Sequence, residues 1–179
     1  MRKFALLTIA LLAVMSCAHA KQPMAMAMVQ PSVGSTAHGS VHLTQLADGT
    51  VDVQIDLTGV PPGVHGFHVH DKGDCGDNGM AAGGHFNPMS MPHASPDAAS
   101  HHAGDFGNVT ADEKGEVHAR FNTHSITVAP GTTSAVGHAV ILHANPDDLM
   151  TQPTGNAGGR IACGIINLMD PRNMAGMHH

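Results

Sequence analysis

From Thr50 to Val60 the chain reads TVDVQIDLTGV, in which Val51, Val53, Ile55 and Leu57 alternate with residues that tolerate water. A period of two puts all four on one face of an extended strand, whereas a helix would scatter them around its axis. Asp48-Gly49 precedes this run, and on its far side GSVHLTQL, residues 39–46, alternates again, so the stretch reads as a β-hairpin. Further strands are expected at VHGFHVH (64–70), introduced by Pro61-Pro62-Gly63, and at SITV (125–128). A second hairpin is expected in GNVTADEKGEVHARFN (107–122), turning at Lys114-Gly115. HAVILHA (138–144) and GRIACGIINL (159–168) read as strands buried on both faces. No segment sustains a helical period, which makes the fold all-β, a two-sheet sandwich or flattened barrel. With five Phe and neither Trp nor Tyr, its core must be built from Val, Ile, Leu, Ala and Met.

The ends read differently. Arg2 and Lys3 precede an apolar run from Phe4 to Met15 and then small residues, the pattern of a secretory signal peptide over residues 1–20. Ala18-His19-Ala20 fits an ordinary signal peptidase site. Val14-Met15-Ser16-Cys17 resembles a bacterial lipobox, which would make residues 1–16 a lipoprotein signal and Cys17 a lipid anchor. The run falls well short of the ~20 apolar residues a spanning helix needs. Residues 21–34 read as a flexible Met-rich arm and 171–179 as a disordered Met/His tail, leaving 35–170 as one folded domain. Removing the leader takes away two of eight basic residues and none of fourteen acidic ones, so the net charge falls from −6 to −8. Such a balance argues against a nucleic-acid partner. Apart from Cys17 only Cys75 and Cys163 remain, and in an exported chain they suggest one disulfide across 88 residues, with two free buried thiols as the alternative.

Two stretches, 71–104 and 144–158, break the strand rhythm, and loops of that length in a compact domain usually carry function. The strand before the first ends in GFHVHDKGDC, residues 66–75. Alternation puts His68 and His70 on one face and Phe67 and Val69 on the other, a strand with a core on one side and ligand-type side chains on the other. The loop itself holds Cys75, His85, His93, His101 and His102 and ends at Asp105; the second leads from His143 towards Arg160 and Cys163. Loops rich in such residues point to a metal site.

Taken in order, GFHVHDKGDC, GGHFNP, HHAGDFGNV, ILHANPDDL and GNAGGRIACGII resemble the copper-zinc superoxide dismutase family over residues 39–168, and its bacterial periplasmic or envelope branch in particular. The resemblance implies a Greek-key β-sandwich, a flattened eight-stranded barrel with two long metal-site loops. It implies copper held by His68, His70, His85 and His143, and zinc held by His85, His93, His102 and Asp105, one of each per subunit, with the His85 ring bridging the two. His102 is preferred to His101 because it stands three residues before the aspartate, as the family pattern requires. Asp147 matches a carboxylate that hydrogen-bonds ligands of both metals. Arg160 matches a guanidinium that attracts and orients the anionic substrate, and Cys75 and Cys163 match a disulfide that holds its segment. The implied activity converts superoxide to oxygen and hydrogen peroxide by alternating reduction and reoxidation of copper, with His85 and Arg160 as catalytic residues, in a periplasmic monomer or homodimer that defends the envelope.

Some positions depart from the family pattern. Ala94 stands where glycine is common and His101 where a basic residue is common, while the loop after His143 carries neither Lys nor Arg, so steering charges are fewer. A cupin also carries an H-x-H pair, but it expects a Glu soon after the pair and a later Pro-x-Gly-x-x-His; Asp74 is the only approximate match. A periplasmic copper-binding or storage protein without turnover is the alternative of a different class, favoured by Met24, Met26 and Met28 and by the closing MAGMHH. Arg160 weighs against it, because storage has no use for a fixed cation beside the metal. His38, His42, His65, His118, His124 and His138 read as surface or strand histidines.

Overall fold

The computed structural model describes residues 22–170; the leader, Cys17 and the tail from 171 lie outside the described residues. Eight antiparallel strands follow in chain order: β1 (Met24–Pro31), β2 (His38–Gln45), β3 (Val51–Thr58), β4 (Gly63–His70), β5 (Asp105–Ala111), β6 (Val117–Thr123), β7 (Ala139–His143) and β8 (Arg160–Leu168), with one short 3-10 helix at Met80–Ala82. They form a single sheet in the order β5-β4-β7-β8-β1-β2-β3-β6, curled into a nearly closed barrel. The expected hairpin forms around Asp48-Gly49 with Gln45 opposite Val51, and Val51, Val53, Ile55 and Leu57 all face the core. Phe67 and Val69 enter the same core from β4. His68 and His70 therefore lie on the outside of the barrel wall, where the segments 71–104 and 144–159 cover them.

Four expectations need correction. Residues 24–31 are not a loose arm but β1, paired with β2 on one side and β8 on the other. Its alternation is of size rather than polarity: Ala25, Ala27 and Val29 fill the core while Met24, Met26 and Met28 turn outward. SITV forms no strand. Ile126 and Val128 are buried, but the segment makes a single bridge, Thr127 to Ser134. The two halves of GNVTADEKGEVHARFN turn as expected, with Gly115 at φ +80°, but then part to opposite edges of the sheet. β5 spends its ladder on β4 and β6 on β3, and the Val60 N–H donates to the Gly115 carbonyl at 3.1 Å. Phe106 and Phe121 meet across the seam with ring centroids 5.3 Å apart. β8, finally, is buried on both faces only over Ala162–Gly164, and Ile165 and Leu168 are exposed beyond it.

Candidate metal centre

β4 supplies His68 and His70, and the neighbouring β7 ends on His143. The ladders are irregular at Gly66/His68 and at Leu142/His143, local breaks of the kind that re-aim side chains beside sites. The segment after β4 returns His85 against His70 through one bridge, then brings His93 and His102 over the start of β5, where Asp105 stands. The result is two groups of buried donors. His68, His70, His85 and His143 form one; His85, His93, His102 and Asp105 form the other; within each group the donor atoms all lie within 4.8 Å of one another. His101 belongs to neither, with its Nδ1 2.7 Å from the His102 carbonyl and its Nε2 3.3 Å from Ser125 Oγ.

Hydrogen bonds on the far side of each ring decide which nitrogen faces inward. His70 donates from Nδ1 to the Gly83 carbonyl (3.0 Å) and His143 from Nδ1 to the Gly158 carbonyl (3.2 Å). A neutral imidazole has one N–H, so both rings present the Nε2 lone pair to the cluster, and these two atoms lie 3.3 Å apart. His68 donates from Nε2 to Asp147 Oδ2 (2.8 Å), which leaves its Nδ1 lone pair inward. His93 donates from Nε2 to Asp147 Oδ1 (3.0 Å), aiming Nδ1 at Asp105 Oδ1, also 3.0 Å away. His85 places Nδ1 2.7 Å from Asp105 Oδ1. Asp147 thus orients one ring of each group, the part such outer carboxylates play at metal sites. Its pocket is closed by Gly155 (φ +64°), where an added Cβ would fall 1.7 Å from Asp147 Oδ1.

Burial pushes the His68 imidazole down to about 4 against the pull of Asp147, and His143 down to about 3, with the charge of His68 adding to the effect. His70 is lowered well below its ordinary value by burial and by His85, and His102 is lowered by burial. Burial pushes the Asp147 carboxyl up, but hydrogen bonds from His68, the Leu149 N–H and His93 outweigh it and hold it at about 2. Asp105 is likewise held far below the carboxylate range by His85, His93 and the His102 N–H in spite of its burial. His93 goes the other way: two carboxylates overcome its burial and raise it. At neutral pH, then, His68, His70 and His143 offer neutral lone pairs and the other group an ionised carboxylate, as a cation requires.

Do these donors suit metal ions? Three buried ring nitrogens, His68 Nδ1, His85 Nε2 and His102 Nδ1, have no hydrogen-bond partner among the described residues, although His102 Nδ1 comes within 3.2 Å of Asp105 Oδ1. Buried polar atoms are rarely left so, and all three belong to these two groups. The four-imidazole set suits copper and the His₃Asp set suits zinc. The residues present therefore fit both ions.

Arg160 opens β8 as the register partner of His143. Its guanidinium donates from Nη1 to the Gly79 carbonyl and from Nη2 to the Gly83 carbonyl, and the Gly83 carbonyl is the one that also holds His70. The Cys75–Cys163 disulfide ties that segment to β8. Sequence reasoning named all these residues but missed their supports. Asn108 exchanges two hydrogen bonds with the Asp147 backbone, and Gln152 two with the His93 backbone. His65, read as an ordinary strand histidine, is buried, with Nδ1 2.8 Å from the His143 carbonyl and Nε2 2.7 Å from the Pro61 carbonyl. Its parity with Phe67 and Val69 was the one signal that could have placed it inward.

A model of the copper/zinc superoxide dismutase family matches residues 37–166. The chain belongs to this family. A solved structure described as that of the clock protein EA4 is 38% identical and superimposes with a TM-score of 0.76, covering 84% of this chain and 97% of that one. Both donor groups fall within the region matched by the family model, as do both cysteines.

Proposed function

We propose that this family member is an active superoxide dismutase, with copper held by His68, His70, His85 and His143 and zinc by His85, His93, His102 and Asp105. The observation that carries the reading is His85, one ring belonging to both groups, with Nδ1 held by Asp105 and Nε2 left unpaired. Copper, when bound, supplies a one-electron couple, while zinc has no redox chemistry and serves to fix the loop and the shared ring. Two superoxide anions and two protons give one oxygen and one hydrogen peroxide. Arg160, charged at any relevant pH and immobilised by two carbonyls, draws the anion in and orients it. His85 Nε2 is the atom at which a proton can be held and released to the peroxide. Asp147 keeps the His68 and His93 rings in their tautomers throughout.

A chain this acidic repels superoxide, so Arg160 must focus a local positive potential, helped by Lys72, whose Cε lies 4.0 Å from where a Gly83 Cβ would stand. The copper- and zinc-loaded protein should therefore remove superoxide catalytically, faster at low ionic strength, and Arg160→Ala should slow it at least ~10-fold while copper stays bound. Stoichiometric copper without turnover would instead support a copper-binding or storage role. The proposal includes export to the periplasm, or anchoring through Cys17, and defence of the envelope. The disulfide supports an oxidising compartment.

A further inference from the structure

The outward methionines of β1 are not explained by the metal centre. Their partners on the strand, Ala25, Ala27 and Val29, fill the core, while Met28 is left 55% exposed on a wall that threonine or lysine would solvate at less cost. Met26 and Met28 line a groove of about 470 Å³ on the outside of β1 and β8, and a third thioether, Met169, joins them there. The backbone fixes this meeting. Met169 follows β8 directly and its N–H donates to the Met24 carbonyl at 2.8 Å, while Met26 pairs with Asn167 in the ladder. Gln30, Asn167, Asp170 and the Cys75–Cys163 disulfide complete much of the wall, and no Lys or Arg is among the described residues that line it.

We propose that this groove binds one Cu(I) ion through the thioethers of Met26, Met28 and Met169, at a site separate from the two buried clusters. Thioethers are soft, neutral ligands that favour Cu(I) over Zn(II), Mg(II) or Ca(II), which prefer harder or anionic donors. Three rotatable bonds per methionine let sulfurs on neighbouring backbones converge on one ion without moving the strands. Among the described residues no lining Lys or Arg opposes a monovalent cation. Met24 is not among the lining residues, so the trio is set by the fold rather than by the Met-x-Met-x-Met spacing.

The test begins with protein whose clusters are already filled with copper and zinc, titrated anaerobically with Cu(I) against a chromophoric Cu(I) chelator. One further equivalent should bind, shifting three methionine methyl signals in a spectrum of ¹³C-methyl-labelled protein. The triple variant Met26→Leu, Met28→Leu, Met169→Leu should lose that equivalent while keeping its melting temperature and its cluster copper and zinc, since Leu conserves the volume. No further equivalent would overturn the proposal. So would one that survives the triple substitution, or one that disappears from the unsubstituted protein when residues 171–179 are removed.

Discussion

The two donor groups share a ring but are built by different means. In the four-histidine group, His68 and His70 stand on β4 and His143 ends β7, so three of the four donors are placed by sheet ladders. In the other group, three of four come from the long segment 71–104, and only Asp105 belongs to a strand. That segment is held by side chain to backbone clamps: Gln152 on His93, and Asp105 on the N–H groups of Ala94 and His102. Folding the barrel preorganises the first group. The second gathers its donors by ordering a loop, a conformational cost that an ion must offset.

The largest consequence should appear on metal loading. An ion present at a thousand times its dissociation constant stabilises by about 4 kcal/mol, or roughly 10 °C for a chain of this length. Most of that gain should be lost in His102→Ala and most kept in His70→Ala, with hydrogen exchange slowing in 71–104 and scarcely changing in β4 and β7. Equal losses in the two variants would erase the distinction. Next, Asp147→Asn should weaken retention at both groups by about 10- to 100-fold, because Asp147 touches one ring of each. Asp105→Asn should weaken the loop-built group most, with a smaller effect on the other through the shared His85 ring, and dialysis against a graded chelator with metal analysis measures both.

A pH series on the chelated protein probes the strand-built group. His68 and His143 bind protons less readily when folded than when unfolded, so their stability contribution is complete above about pH 6.5 and is lost as pH falls towards 4. Each such group adds at most about 1.4 kcal/mol per pH unit to the slope, and His70 and His102, lowered likewise, act in the same direction. His93, raised in the fold, opposes this: its contribution is full below its ordinary value and fades as pH rises. Urea midpoints that stay flat between pH 6.5 and 4 would contradict the neutral burial of the first two rings. The smallest effect is expected on the far wall, where Arg120 grips Asp52 in the open. Arg120→Ala should leave the melting temperature unchanged within error.

Much of the fold was legible because β2, β3 and β4 alternate apolar with polar residues, a signal one sequence carries unaided. β1 was not, because Met against Ala differs in size and not in polarity, and only the assembled barrel shows which is inside. The parting of β5 and β6 was equally hidden, since a turn reports that the chain reverses and not which neighbours its arms will take. At the centre, every donor was nameable from the family resemblance its motifs carry, and the family's spacing to the aspartate separated His102 from His101. Asn108 and Gln152 could not be found, because they act by gripping backbone 39 and 59 residues away, and common polar residues leave no local trace of such a partner.

A single imidazole with two owners has a thermodynamic corollary. Whatever factor an ion in one compartment of the cage imposes on the affinity of the other, the reverse influence must equal it, in sign and in size. Scarcity of either element in the surroundings would then be felt at both addresses, and the sequence of arrival could alter the kinetics of maturation but never its end point.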